Sequence, residues 1–258
     1  MNGTVLILAH AGDAGAAAVA AQLARTPGAP RVRLVRPEAL TLARWSHRLQ
    51  AHGAALTRIE DAHGAAIAEG EVGAVLNRIR CLPAAGFHRA TAKDRDYAAA
   101  EWQALVASWL AALGDRVVHP VHRHPWVTPL LSTLHWSAAA ARTGLPLAHC
   151  ACREHPRAAA ATSGDCGCAT GGAPAADDAS GRVLVADEEA DGTLAARFGD
   201  VCIAVARQLG FPLLEFRFIG QDGEFRLAAV DALPSLQDPR DVVRVGRLLQ
   251  RRCLRSLS

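Results

Sequence analysis

Short apolar runs alternate with amphipathic segments along most of the chain. Residues 3–9 form a continuous apolar run, the pattern of a strand buried on both faces, and residues 16–25 fit a helix after a glycine-containing turn. Residues 31–35 alternate between polar and apolar side chains and predict a second strand. A strand, a helix and a strand in this order predict a parallel unit with a right-handed crossover.

The same patterns predict the other elements of the N-terminal half. They are a hairpin over 54–59 and 65–68, a buried strand over 73–77, a helix over 96–113 capped by Asp94 or Asp96, a short strand at 117–118, and a helix over 130–143 ended by Gly144.

The composition changes sharply after residue 147. Residues 148–181 contain almost no large apolar side chain, so this segment is predicted to be a flexible linker rich in cysteine, alanine and glycine. Order is predicted to resume with a strand over 182–186, a helix over 194–209, a hairpin over 213–219 and 224–230, and a helix over 239–254.

The predicted fold class is α/β. An N-terminal Rossmann-like domain with a parallel sheet and helices is expected over 1–147, and a smaller C-terminal α+β part that contains the β-hairpin is expected over 182–258. The segment 148–181 would connect the two.

Charge and composition exclude several classes of function. The formal net charge is only +3, without a basic stripe, so no nucleic-acid partner is expected. Lys93 is the one lysine among 28 basic residues, which leaves a single candidate for any mechanism that needs a reactive or phosphate-binding lysine.

The chain also lacks the patterns of a secreted or membrane protein. The N-terminus has no positively charged n-region, and no stretch approaches the roughly 20 apolar residues that cross a bilayer. We therefore expect a cytoplasmic protein with no membrane partner. The sequence leaves the oligomeric state open.

Soft metal ligands are concentrated in the predicted linker. Thiolates and imidazoles bind zinc or copper, so a metal site is one interpretation, and a low-complexity loop is the other. The six candidate ligands are His149, Cys150, Cys152, His155, Cys166 and Cys168.

Polar residues follow three predicted strands, at the sheet edge where open α/β proteins bind ligands. Gly12–Gly15 resembles a phosphate-binding turn, although short strand–helix turns need glycine in any case. Arg78 could clamp a carboxylate or phosphate, or pair with Glu101 in a structural ion pair. The candidate ligand-binding residues at the ends of the predicted strands 73–77 and 117–118 are Asn77, Arg78, Arg80, His119, His122, Arg123 and His124.

The element order resembles an ATP-grasp protein with a preceding Rossmann-like domain, as seen among peptide-modifying ligases. The N-terminal part of the resemblance is carried by VLNRI (75–79), the helix over 94–113, VVHP (117–120) and TGLPL (143–147). The C-terminal part is carried by RVLVADE (182–188), RQLGF (207–211) and the hairpin over 213–236.

The resemblance implies a magnesium site on the hairpin, and this chain departs from it. ATP-grasp enzymes place an acid on the first strand and Glu-x-Asn on the second. Arg217 stands about where the first acid is expected, and Ala229-Val230-Asp231 replaces Glu-x-Asn. Glu215 is expected to be out of register, which leaves Asp231 as a ligand-binding residue. A nucleotide-gripping subdomain is also expected between 147 and 182, where this chain has only the linker.

These departures predict a catalytically degenerate ATP-grasp-like protein for which ATP and magnesium are not cofactors. It would bind a peptide, a small molecule or a partner enzyme in a bacterial biosynthetic or modification pathway. Two alternatives stay open. One is a zinc or copper protein that uses the Cys/His linker or the His119–His124 loop, and the other is an ATP-dependent carboxylate–amine ligase subunit that is active only with a partner.

Overall fold

A computed structural model describes residues 3–50, 55–61, 64–83, 87, 89–119, 121, 131–148, 179–221 and 223–256. These residues group into two compact units that are discontinuous in sequence. The first takes residues up to 130 together with 210–213 and 232 onward, and the second takes 131–209 and 214–231. The division of the chain around 148–181 stays a prediction, since residues 149–178 lie outside the described ranges.

The chain is a mixed α/β protein, as predicted. The strands are β1 (Thr4–Leu8), β2 (Arg31–Val35), β3 (Arg44–Leu49), β4 (Ala55–Glu60), β5 (Ala66–Ala68), β6 (Val72–Asn77), β7 (Ala179–Ala186), β8 (Glu189–Asp191), β9 (Leu213–Gln221) and β10 (Glu224–Asp231). The helices are α1 (Ala14–Arg25), α2 (Pro37–Leu42), α3 (Ala92–Ala112), α4 (Thr133–Arg142), α5 (Ala195–Leu209) and α6 (Pro239–Arg255).

A three-stranded parallel sheet forms the centre of the first unit. β1 lies between β2 and β6 and runs parallel to both, which confirms the predicted strand–helix–strand opening. Every residue of β6 is buried, because the strand pairs with β1, helix α6 packs against it, and its residues Val72 and Val75 belong to an apolar cluster. That cluster joins Leu6 and Leu8 to Val106, Trp109 and Leu110 of α3.

A small antiparallel sheet of order β3-β4-β5 lies in the same unit. The hairpin of β4 and β5 was predicted, whereas β3 was not, because its sequence RWSHRL has few apolar residues. Trp45 and Ile59 face each other on the inner side and pack into the apolar cluster with Ile67. Half of the residues on the outer side are charged.

Two boundaries in this unit correct the predictions. Helix α3 begins at Ala92 with Thr91 as its cap, rather than with Asp94 or Asp96, and the Thr91 hydroxyl accepts a hydrogen bond from the Asp94 amide. The strand predicted at 117–118 is a single parallel bridge between Val117 and Val75.

The second unit contains a sheet of order β10-β9-β7-β8 with α5 packed against it. β9 and β10 form the predicted hairpin, with an irregularity in register between Leu227 and Ala229. Phe198 of α5 stacks on Phe218 of β9, with ring centroids 4.8 Å apart. β7 begins at Ala179, three residues before the predicted boundary, so the last residues assigned to the linker are strand.

No helix in the described ranges is long and apolar enough to span a membrane.

Glycine allows a close approach at the start of α1. A Cβ atom on Gly15 would lie 2.8 Å from the carbonyl oxygen of Ser235 and 2.9 Å from Cβ of Leu236. A Cβ atom on Gly246, inside α6, would lie 3.6 Å from the nearest atom of Leu23, which is an ordinary contact. The segment after β10 can therefore pack on α1 only because residue 15 has no side chain.

This difference predicts opposite effects of the same substitution. Gly15→Ala should lower the free energy of unfolding by about 1–3 kcal/mol, because the new methyl group overlaps backbone atoms. Gly246→Ala should raise it by about 0.5–1 kcal/mol, because alanine restricts the unfolded chain and fits the helix. Urea unfolding followed by circular dichroism measures both, and equal effects of the two variants would contradict the described packing.

Candidate functional site

Two strands of the parallel sheet end side by side, at the edge where such sheets bind ligands. β1 is followed by His10 and Asp13, and β6 by Arg78 and Arg80. The amide of Arg80 donates to Nε2 of His10 at 3.3 Å, and the Arg78 guanidinium reaches Asp13. The structure thus brings together the polar residues after β1 and β6, which we call the sheet-edge cluster.

Arg78 is committed to partners inside the protein. Its side chain is only 4% exposed, its Nε donates to Oδ2 of Asp13 at 2.8 Å, and its Nη1 donates to the carbonyl of Pro234 at 2.9 Å. Of the two interpretations of Arg78, a ligand clamp or an ion pair with Glu101, the structure shows an ion pair, but its partner is Asp13. A buried guanidinium needs such partners, since an unpaired buried charge is very costly.

Asp13 occupies the N-terminus of α1. Its Oδ1 accepts a hydrogen bond from the Ala16 amide at 2.9 Å, as a helix cap does. Burial alone would raise the pKa of Asp13, but the hydrogen bonds from Arg78 and Ala16 and the charges of Arg78 and Arg80 hold it below its ordinary value. The ionised carboxylate disfavours a phosphate at this turn, so the resemblance of Gly12–Gly15 to a phosphate-binding turn reflects the geometry of a short strand–helix connection.

The remaining predicted residues near this edge differ in exposure. Asn77 is buried, and its side-chain oxygen accepts from the Ile79 amide at 3.1 Å, which shapes the chain after β6. Arg80 is exposed. His119 is buried, with its ring 5.5 Å from that of Phe211. His122, Arg123 and His124 lie outside the described residues.

A second group of charged residues lies on the β9–β10 hairpin. Glu215 is directly opposite Asp231, and Arg217 is directly opposite Ala229. Residues that face each other across antiparallel strands share one face, with Cβ atoms roughly 5 Å apart. Glu215 and Asp231 therefore lie on the same face of the hairpin. The sequence alone did not show this pairing, because strand register depends on where the hairpin irregularity falls.

This arrangement does not fit a magnesium ion that bridges nucleotide phosphates. Two carboxylates face each other, but the next pair along the same face consists of a methyl group and a guanidinium. Magnesium prefers near-octahedral oxygen ligands, and Ala229 supplies none. The exposed Arg217 places a positive charge two residues from Glu215, where it opposes a cation.

A chain of hydrogen bonds that was not predicted links the small antiparallel sheet to α3. Thr57 donates to Glu69 at 3.1 Å, so its oxygen accepts from Nδ1 of His47 at 2.8 Å. Because Nδ1 of the neutral ring carries the proton, Nε2 of His47 accepts a hydrogen bond from the Ser108 hydroxyl at 2.9 Å. Glu69 is also paired with Arg116 at 3.3 Å. His47 lies in β3, the strand that periodicity missed, so no sequence signal joined these residues.

A cavity of about 410 Å³ lies between β2, α2 and the β4–β5 hairpin. This volume is in the range of small-molecule pockets. Its charged lining residues are balanced in sign, since Arg33 lies 3.6 Å from Asp61 and Arg36 lines the same cavity as Glu38. The cavity therefore shows no preference for an anion or a cation.

The metal site predicted in the linker falls outside the described residues, as do all six of its ligands, His149, Cys150, Cys152, His155, Cys166 and Cys168. Within the described ranges, no group of three His, Cys, Asp or Glu side chains could hold a metal ion. Burial raises the pKa of the Cys202 thiol to about 12, so this cysteine stays protonated and chemically inert.

Comparison with known proteins relates the chain to solved structures only. No protein family matches it, and no curated protein is similar to it. Among solved structures, macrocyclase MdnC from Microcystis aeruginosa, bound with precursor peptide MdnA, is 12% identical with a TM-score of 0.66, over 95% of this chain and 99% of that one.

Two further structures match to the same degree. A Chryseobacterium gregarium RiPP-associated ATP-grasp ligase, in complex with ADP and a leader and core peptide, is 9% identical with a TM-score of 0.66, over 96% of both chains. The ATP-grasp ligase PsnB complexed with minimal precursor is 12% identical with a TM-score of 0.65, over 100% of both chains. At these identities the comparison shows the fold alone: the chain has an ATP-grasp-like fold.

The Arg78–Asp13 pair predicts a change in acid stability. The pKa of Asp13 is lowered in the folded state, so the pair stabilises the protein above the ordinary pKa of 3.8 and loses this contribution as the pH falls through the folded-state value. In Arg78→Met the pKa of Asp13 should rise, and stability should be lower near neutral pH with a weaker dependence on pH in the acid range. Urea unfolding between pH 2.5 and 7 measures this, and an unchanged slope would contradict the role of Arg78.

The hydrogen-bond chain through Thr57 predicts a stability effect of one hydroxyl. Thr57→Val keeps the volume but removes the hydrogen bonds that the Thr57 hydroxyl makes with Nδ1 of His47 and with Oε2 of Glu69, and should lower the free energy of unfolding by about 1–3 kcal/mol. The matched control is Thr41→Val, which removes a part-buried hydroxyl bonded to the Pro37 carbonyl at 3.0 Å and should cost less than about 0.5 kcal/mol. Equal losses in thermal or urea unfolding would show that the chain of bonds contributes nothing.

Proposed function

We propose that this chain is a catalytically silent ATP-grasp-like protein that binds a peptide in a bacterial peptide-modification pathway. One observation carries the proposal: Arg217 faces Ala229 beside the Glu215–Asp231 pair on the β9–β10 hairpin. Phosphoryl transfer depends almost entirely on the positioning and neutralisation of phosphate charge, and this strand pair lacks the ligands for it.

The distribution of lysine supports the same conclusion. Lysine commonly binds phosphate as a point charge, and Lys93 at the start of α3 is the one lysine in the sequence. The absence of a nucleotide-gripping subdomain between 147 and 182 is part of this proposal.

A peptide is favoured over a small molecule or a partner enzyme. Three solved structures with this fold hold a precursor peptide, a leader and core peptide, or a minimal precursor. The proposal assigns peptide binding to residues other than Glu215, Arg217, Ala229 and Asp231 of the hairpin.

The Glu215–Asp231 pair supports a second candidate function. Two carboxylates directly opposite each other could form half of a metal site that a partner protein completes. The chain would then be a subunit of an ATP-dependent carboxylate–amine ligase.

Calorimetry distinguishes the two candidates. Titration of Mg·ATP into the isolated protein should give no binding in the micromolar range, both for the wild type and for Glu215→Gln/Asp231→Asn. Micromolar binding by the wild type would overturn the proposal of a silent protein. If the double variant abolished that binding, the second candidate would be supported.

The peptide is tested separately. A precursor peptide encoded beside this gene should bind the wild type and the double variant equally, with or without nucleotide, because the hairpin carboxylates are not part of peptide binding. ATP turnover that requires co-expressed neighbouring gene products and both carboxylates would favour the ligase subunit instead.

A further inference from the structure

The outer side of the small antiparallel sheet carries an unusual concentration of arginine. Register and alternation place eight side chains on this side, away from the apolar cluster, and we call them the arginine face. They are Arg44, Ser46, Arg48, Leu56, Arg58, Glu60, Ala66 and Ala68. The face thus has three guanidinium groups and one carboxylate.

The three guanidinium groups lie close together by register. Arg58 is directly opposite Ser46, so Arg44 and Arg48 are its diagonal neighbours on the adjacent strand. Diagonal neighbours in an antiparallel pair are roughly 7–8 Å apart, close enough for like charges to repel in the folded state. The carboxylate of Glu60 lies 3.9 Å from Arg58, and within the described residues Arg44 and Arg48 form no ion pair.

The other residues of the arginine face are mostly apolar. Leu56 is 59% exposed and lies directly opposite Arg48. On the other side of β4, small alanine side chains face Arg58 and Glu60. An exposed leucine among cations suits a partner that brings both a carboxylate and an apolar side chain.

The spacing of the cations fits an extended peptide. Alternate residues of an extended chain are roughly 6.8 Å apart, which is close to the roughly 7–8 Å between the backbone positions of diagonal neighbours such as Arg44 and Arg58. An arginine guanidinium binds a carboxylate through two parallel hydrogen bonds, so each arginine can hold one acidic side chain of the peptide. Acidic residues at alternate positions would therefore meet successive arginines.

The opposite side of the sheet is held firmly, which keeps the arginine face in place. Trp45 makes edge-to-face contacts with Trp102 and Trp109, at centroid distances of 5.2 and 5.5 Å. His47, also on the inner side, is bonded to Thr57 and Ser108. A surface that is rigid before binding loses less entropy when a partner binds.

From these observations we infer that the arginine face binds an extended acidic segment of a peptide, with alternating carboxylate and apolar side chains. An acidic peptide is favoured over a nucleic acid because no aromatic side chain lies on this face, and single-stranded nucleic acids are held mainly by stacking on aromatic rings. The inference rests on the proposed function, which is peptide binding, and adds to it the surface that binds the peptide.

The probe is a fluorescently labelled ten-residue peptide of alternating glutamate and leucine, measured by anisotropy against the full chain. Arg44→Gln/Arg48→Gln/Arg58→Gln should weaken binding roughly tenfold or more, since the variant loses three charged contacts to the peptide carboxylates. The matched control Arg25→Gln/Arg240→Gln/Arg247→Gln removes the same charge from exposed positions on α1 and α6 and should change the Kd less than about twofold.

Two further measurements make the result specific. A peptide with glutamine in place of glutamate should bind the wild type at least tenfold more weakly, and Leu56→Gln should weaken binding of the acidic peptide. The near-ultraviolet circular dichroism of the Trp45 cluster should be the same in all variants, which shows that the sheet is intact.

Three outcomes would overturn the inference. They are equal losses in the two triple variants, no binding of the acidic peptide to the wild type, or equally tight binding of a single-stranded RNA of the same charge. If the precursor peptide binds and the Arg44/Arg48/Arg58 variant leaves its affinity unchanged, the proposed function stands and the arginine face is not its peptide site.

Discussion

The buried charge of Arg78 is the constraint on which the first unit depends. A guanidinium that is almost fully removed from water needs partners, and these come from two distant parts of the sequence: Asp13 at the start of α1 and the carbonyl of Pro234 after β10. The same segment after β10 packs on Gly15, where a side chain would not fit. The Arg78–Asp13 ion pair and the close approach at Gly15 thus hold the segment after β10 against the start of α1. The ion pair also fills the sheet edge after β1 and β6, where an anionic ligand would otherwise bind.

The hairpin of the second unit carries charged residues on one face and aromatic packing on the other. Glu215 and Asp231 face each other, as metal ligands would, but Arg217 and Ala229 form the next pair on that face. Electrostatic repulsion from one guanidinium and the loss of one oxygen ligand are enough to disfavour a phosphate-bound cation there. The apolar side of the hairpin, with Phe218 stacked on Phe198, does not depend on these residues, so the hairpin can form whatever polar side chains lie on the other face.

Alternate residues of the small antiparallel sheet face the apolar core on one side and solvent on the other. The inner side joins the apolar cluster through Trp45 and the hydrogen-bond chain through His47 and Thr57. The outer side collects arginine around Leu56 and contributes nothing to the core. Because the inner contacts fix the sheet, the outer side can carry three arginines with Glu60 as the one carboxylate among them.

The sequence by itself determined the element order, the α/β class and most helix and strand positions, because apolar periodicity and glycine or proline at the ends report local structure. It missed β3, whose residues are mostly polar, and it placed the cap of α3 on the wrong residue, because Asp94, Asp96 and Thr91 are all good caps.

Only the tertiary structure decided which distant residues meet. The partner of Arg78, the register of Glu215 with Asp231, and the bonds that join His47 to Ser108 depend on how strands pair and helices pack, and no local pattern encodes these choices. The physical reason is that a one-residue shift in register or a bulge moves a side chain to the other face of a sheet without changing the periodicity of the sequence.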